Sequence, residues 1–175
     1  MSIRRDCLTL QCQSGELRVR RLGERLELDF PALAGEPIDA PAGLAEALGL
    51  SPEAVLSGRD SLLVVLKDEA AVGDCAPDLT VLAALPWLGV IVTAQGADHD
   101  VVSRYFAPAI GIDEDPVTGA AHCMLVPYWA QRLGRSELRA FQCSQRGGEL
   151  HCRLDGARVR LAGHAVLVSR GELLV

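Results

Sequence analysis

Between Leu8 and Phe30 apolar and polar residues alternate around Gly15 and Gly23 (LTLQCQSGELRVRRLGERLELDF), the period-two pattern of strands whose two faces differ. A pair of β-hairpins or a meander is expected there. From Pro31 to Ala42 the chain is rich in Pro, Ala and Gly and reads as a connector. LAEALG (Leu44 to Gly49) then predicts a short helix. SPEAVL (Ser51 to Leu56) predicts another, with Ser51 as N-cap and Pro52 in the first turn. SLLVVL (Ser61 to Leu66) and GVIVTAQG (Gly89 to Gly96) are apolar runs of strand length and predict buried strands. Asp78 opens a helix, DLTVLAAL, that Pro86 closes, and DVVSRYFAP (Asp100 to Pro108) predicts a third strand. From Leu138 onward short strands return: ELRAFQC, GELHCRL, ARVRLAG, AVLVS (Ala165 to Ser169) and ELLV (Glu172 to Val175).

The chain's least ordinary stretch is GIDEDPVTGAAH, Gly111 to His122, where clustered acids meet a run of very small residues. Asp115 before Pro116 reads as a helix opening, with a capping side chain followed by proline in the first turn. Small side chains from Val117 to Ala121 have two possible uses. They let a helix start approach a strand, or they leave its free N–H groups open to an anionic ligand. Spacing alone leaves both open. The remainder, AHCMLVPYWAQRL, is apolar nearly all round as far as Gln131, so the helix is expected to be buried and wrapped by strands. Gly134 should be its C-cap, and Pro127 should kink or break it. His122 reads as a satisfied core histidine, with a catalytic role as the alternative. Tyr128 and Trp129 read as core, and Asp113 and Glu114 as solvated loop charges.

The two ends of the chain also resemble each other. SGELRVRRLGERLEL aligns with GGELHCRLDGARVRL, so that Gly15 matches Gly148, Gly23 matches Gly156 and Leu28 matches Leu161, a constant offset of 133 residues. Either two hairpins look alike by chance, or a unit of domain size is duplicated and most of its first copy lies outside this chain. A two-strand remnant cannot bury a core alone.

Composition narrows the class. A length of 175 residues suits one domain or one and a fraction, and 49% hydrophobic content is enough for a real core. With a net charge of −6 and no basic block, no nucleic-acid partner is expected, and anionic membranes are disfavoured. The start, MSIRRDCLTLQ, has no apolar core of signal-peptide length, and Leu79 to Ala94 is interrupted by Pro86 and Gly89, so it is not a spanning helix. Six cysteines form no CxxC pair and four histidines lack ligand spacing. Reduced core thiols, no metal and a cytoplasmic location are therefore expected.

RYFAPAIGIDEDPVTGAAHCMLVPYWAQRLG, together with QCSQRGGELHCRL and LQCQSGELRVRRLGERLELDFPA, resembles the PhzF-like family, the phenazine-biosynthesis-type isomerases of the diaminopimelate-epimerase-like superfamily. The match runs in order over essentially the whole chain. It implies an α/β (α+β) fold of two similar domains, each a barrel-like β-sheet wrapped around a central buried helix, with the active site between them. On that reading residues 1–30 are the strand tail of a mostly absent N-terminal domain. Residues 31–163 are the C-terminal epimerase-like domain and residues 164–175 terminal strands.

The resemblance implies a cofactor-independent proton shift on a small carboxylate-bearing substrate, carried out by a homodimer. Asp115 matches the catalytic-site aspartate of the family's DPxTGSA motif. Thr118, Gly119 and Ala120 match the helix start that lines the substrate cleft, and Ala120 stands where the best-studied members have serine. The family's catalytic glutamate and a substrate-binding histidine belong to the other half and have no counterpart here. Racemases of the superfamily that use paired thiols would need a cysteine near Val117; Cys123 falls too far into the helix, which disfavours that chemistry. The alternative is a truncated or degenerate non-catalytic domain that binds a small molecule or self-associates through residues 8–30.

Overall fold

The alternation in the first thirty residues becomes a three-stranded antiparallel sheet. β1 (Cys7–Cys12) and β2 (Gly15–Leu22) pair with Leu8 opposite Val19 and Leu10 opposite Leu17, so these four side chains share one face. β3 (Arg25–Pro31) returns along β2 across a turn in which Gly23 has φ 61°, a conformation that glycine adopts without strain. The computed structural model describes residues 7–12 and 15–171.

Among the described residues, those strands form one flank of an 11-stranded sheet that continues through β11 (Arg158–Gly163), β10 (Gly148–Asp155), β9 (Glu137–Gln142), β8 (Val101–Phe106), β7 (Gly89–Gln95), β6 (Ser61–Val65) and β5 (Ala54–Ser57) to β4 (Glu36–Ile38). Neighbours run antiparallel except at β6–β7 and β8–β9. With α1 (Leu44–Leu48), α2 (Glu69–Gly73), α3 (Leu79–Ala83), α4 (Gly119–Leu133) and a 3-10 turn at Pro108–Ile110, this is a mixed α+β fold with a large sheet and few helices.

The apolar runs are strands because both of their faces are covered. In β6 and β7, Leu63, Val65 and Ile91 pack in the core around α4. Their alternating neighbours Leu62, Val64, Val90 and Val92 pack in a second core with α1, α2 and α3. Helix α4 lies against β6, β9, β10 and β11, with Met124, Leu125 and Trp129 almost fully buried. Met124 is keyed between two glycines. A Cβ at Gly35 would lie 2.4 Å from its Cε, and one at Gly58 2.7 Å from its Sδ. Among the described residues no helix is long and apolar enough to cross a membrane.

Four expectations need correction. SPEAVL is not a helix: Ala54–Ser57 is β5, paired with β4 and β6, and Glu53 donates its N–H to Val65 O at 2.8 Å. Sheet pairing on both sides overrides the local Ser-Pro signal. The connector is accordingly not structureless, since it carries β4. Pro127 does not break α4, which runs to Leu133 and ends at Gly134 (φ 68°) as expected. The carbonyl that a proline at 127 deprives of its helical partner is that of Cys123, and Leu33 N–H donates to it at 2.9 Å. The connector thereby supplies the bond that proline withholds. Finally, residues 164–171 form no strand, and ELLV lies outside the described residues.

The similarity of the two ends is visible in the backbone. β2 and β10 are both eight residues long and begin 133 positions apart, at Gly15 and Gly148. The turns that follow hold Gly23 at φ 61° and Gly156 at φ 59°. β3 and β11 pair with each other so that Leu28 meets Leu161, its own counterpart at that offset, which makes the junction locally two-fold symmetric.

Candidate functional site

β8 delivers the chain to the acidic stretch. After Phe106 the 3-10 turn and Gly111 (φ 79°) reverse direction, and Asp115 N–H donates to Tyr105 O at 3.0 Å, which fixes the backbone of the turn to the strand it has just left. Glu114 is not a solvated loop charge. Its carboxylate takes two N–H bonds from Arg104, 2.7 and 3.0 Å, with only 22% of its side chain exposed. Arg104 uses its other terminal nitrogen on the main-chain carbonyls of Gly73 (3.1 Å) and Cys75 (2.6 Å). The turn is thus clamped to the end of α2 as well as to β8. Asp113 is exposed, as expected.

Asp115 does not cap the helix, and Pro116 is not in it. Helix α4 begins at Gly119, with Thr118 in the N-cap position, and Thr118 makes no side-chain cap bond. Its hydroxyl donates to Asp115 Oδ2 at 2.7 Å instead. A threonine at this position ordinarily accepts from the helix's own N–H groups; here it is turned onto the aspartate. Thr118 N–H is taken by Gln142 Oε1 at 2.8 Å, while Gln142 Nε2 donates to Asp115 O (2.6 Å) and Thr118 Oγ1 (3.2 Å). Gln142 is fully buried, and it welds the turn to the helix start. Asp115 Oδ1 has no hydrogen-bond partner among the described residues, and the N–H groups of Gly119 and Ala120 lie at the uncapped end of the helix.

Clearance around this end is uneven. Thr118 is 7% exposed, whereas Ala120 is exposed. A Cβ on Gly119 would meet Phe30 no closer than 3.7 Å, an ordinary contact, so close packing does not require glycine there. Val117 does need a small neighbour: a Cβ on Gly148 would fall 2.4 Å from its Cγ2. Ser144, in the loop before β10, donates to Pro116 O at 2.8 Å and holds that loop against the turn.

His122, one turn into α4, is fully buried. Its Nδ1–H donates to Thr118 O at 2.8 Å, and Nε2 has no partner, so the expected satisfied histidine is satisfied on one side only. Burial pushes its pKa below the ordinary 6.5, with the Thr118 bond opposing, which keeps the ring neutral. Burial also raises the Cys123 thiol to about 11 and the Cys152 thiol to about 12. Neither supplies a thiolate at neutral pH. Among the described residues no group of three or more His, Cys, Asp or Glu is placed to hold a metal ion.

Sequence reasoning missed Gln142 and the Arg104–Glu114 pair. Gln142 had a signal, since a Gln-Cys pair precedes both copies of the repeated hairpin, but its counterpart Gln11 donates to Glu16 at the surface.

Known proteins share this arrangement of turn, buried helix and sheet. The family model described as phenazine biosynthesis-like protein, PhzC-PhzF, matches residues 2–171. An uncharacterized isomerase of Pseudomonas aeruginosa is 60% identical over 161 residues, covering 92% of this chain and 62% of its own length. The phenazine biosynthesis-like domain-containing protein of Homo sapiens is 38% identical over 192 residues, covering 95% of this chain and 65% of that protein. The crystal structure of a PhzF-family phenazine biosynthesis protein from Enterococcus faecalis matches with a TM-score of 0.91 and 43% identity, over 99% of this chain and 67% of that one. The chain therefore spans less than two thirds of the length of these curated relatives. On the family match, the relatives and the shared fold, the chain belongs to the PhzC-PhzF family of phenazine biosynthesis-like proteins.

Proposed function

We propose that this chain carries one wall of the active site of a cytoplasmic, cofactor-independent isomerase that shifts a proton on a small carboxylate-bearing substrate. The observation that carries the reading is the diverted cap. A hydroxyl that could stabilise the helix start by about 1 kcal/mol is spent on orienting Asp115. That leaves the Gly119 and Ala120 amides, with the positive end of the helix dipole, beside an oriented carboxylate. In this reading the amides hold the substrate carboxylate, Asp115 Oδ1 meets the reacting portion, and Thr118 acts through Asp115.

The finer fold assignment, a diaminopimelate-epimerase-like sheet curled around α4, belongs to the same proposal and is supported by the contacts of α4 with β6, β9, β10 and β11. So does the division at residue 30. Leu8 and Leu10 are half exposed on the face that continues toward Leu28 and Leu161, and that face suits cover by the part of the longer relatives that this chain does not match. The catalytic base comes from that part. The expected homodimer is a proposal too, and β1, at one edge of the sheet, is a surface available for it.

The test is solvent-deuterium exchange into small carboxylates by this chain joined to the N-terminal portion of the Pseudomonas relative. Exchange that Asp115→Ala reduces at least tenfold supports the assignment; undiminished exchange in the variant removes Asp115 from the mechanism.

A further inference from the structure

β10 and β11 set Arg153 directly opposite Arg160, two like charges at a spacing where cross-strand neighbours repel. Both lie on the sheet face turned away from α4, because the alternating residues Cys152, Val159 and Leu161 pack in the core around that helix. The next pair on the outer face is His151 with Ala162, and Glu27 of β3 lies opposite Ala162 on its other side. With only a methyl group at Ala162, a hollow of about 310 Å³ opens there, walled in part by Arg25, Arg139, Arg153, Arg160 and His151. A chain of net charge −6 thus gathers four arginines and a histidine at one place, which Asp115 does not line.

Most of the acids nearby are already paired, several of them with cations of the hollow itself. Asp155 accepts two N–H bonds from Arg160, 3.0 and 2.7 Å. Glu27, 8% exposed, accepts from Arg20 at 2.5 Å and lies 3.6 Å from an Arg160 nitrogen. Asp100 takes the Arg135 side chain and the Arg139 backbone N–H, and Glu149 takes the Arg139 guanidinium at 3.2 Å. Arg153 reaches Asp155 at no better than 3.7 Å, and Arg25 makes no ion pair among the described residues. Glu137, opposite Arg153 in register, is exposed and makes no ion pair there either. Burial and then Arg25 push the His151 pKa below the usual 6.5, with Glu149, 3.4 Å from His151 Nε2, opposing.

We propose that this hollow binds a small doubly charged oxyanion, with the Arg25 and Arg153 guanidinium groups and His151 as its donors. Planar guanidinium forks match the paired oxygens of phosphate or carboxylate, and an anion here would give Arg25 a counter-charge and Arg153 a closer one than Asp155 at 3.7 Å. The site does not depend on the reading of Asp115.

The experiment titrates inorganic phosphate into the isotope-labelled chain at neutral pH. The His151 imidazole and the Gly119 and Ala120 amides are followed by NMR. A saturable shift of His151 is expected. Arg25→Gln and Arg153→Gln should each weaken it roughly tenfold, and Glu137→Gln should tighten it. Arg25 has no ion-pair partner to lose, so its variant tests binding without threatening the fold. A parallel titration with malonate distinguishes the two ligand classes: the tighter of the two gives the class that the hollow prefers. Three results overturn the proposal: a shift that never saturates, a shift unchanged when Arg25 and Arg153 are both replaced, or phosphate that moves the Gly119 and Ala120 amides while His151 stays still.

Discussion

Replacing Gln142 by leucine tests how the site is built. The side chain is fully buried and makes three hydrogen bonds, to Thr118 N, Asp115 O and Thr118 Oγ1. Leucine has a similar volume, so little cavity results, but Thr118 N–H and Asp115 O both lose their partners. Each buried group left unpaired costs about 1–3 kcal/mol, for a total of about 2–6 kcal/mol. Against a domain stability of about 5–15 kcal/mol, that loss is large enough to shift a urea midpoint plainly. Gln142→Glu separates the two bonds. It keeps an acceptor for Thr118 N–H, removes the donor to Asp115 O, and adds a second carboxylate beside Asp115, so its loss should shrink as the pH is lowered. Equilibrium urea unfolding of the three proteins, with equal m-values, is the assay. A Gln142→Leu protein within about 0.5 kcal/mol of wild type would refute the account of Gln142 as the brace of the turn.

Thr118→Val should cost about 1 kcal/mol and Thr118→Ser much less, because the hydroxyl bond to Asp115 is what is lost; paired thermal melts check this. Glu114→Gln should destabilise by about 1–3 kcal/mol and speed amide exchange at residues 113–118, since Arg104 is left partly buried without its counter-charge. Gly148→Ala should cost about 1–3 kcal/mol through its clash with Val117, while Gly119→Ala leaves stability unchanged or slightly raised; denaturant curves separate the two. His122 titrates in the unfolded chain near 6.5 and lower in the fold, so below that pH the unfolded state binds the extra proton. Stability should therefore fall as pH drops through 6.5, by at most about 1.4 kcal/mol per pH unit from this group, and His122→Gln should lose that part of the slope.

Both misread helix openings carried the same signature, a capping residue followed by proline: Ser51-Pro52 and Asp115-Pro116. Proline presets its own φ but recruits no partner for the residues after it. At residues 54–57 two neighbouring strands claimed the backbone, and at Asp115 the N–H went to Tyr105 O. Asp78, which is followed by Leu79 rather than proline, does cap α3, through Thr80 N–H and Val81 N–H. The buried strands and the end of α4 were legible because each rests on a local pattern: an apolar run or a Gly134 that can take φ 68°. Asp115 and Gly119 were legible as a motif. Gln142 was not, because its three bonds join residues 24 and 27 positions away, and no local period records such a contact. Pro127 failed as a helix breaker for a similar reason, since its compensation comes from Leu33.

The central claim is that the uncapped start of α4 holds a carboxylate beside Asp115. A titration of acetate and succinate into the labelled chain, read at the Gly119 and Ala120 amides, tests it most directly. The account predicts saturable downfield shifts at those two amides, strengthened in Asp115→Asn because a competing negative charge is removed. Amides that stay unmoved at concentrations that shift other surface resonances would contradict it.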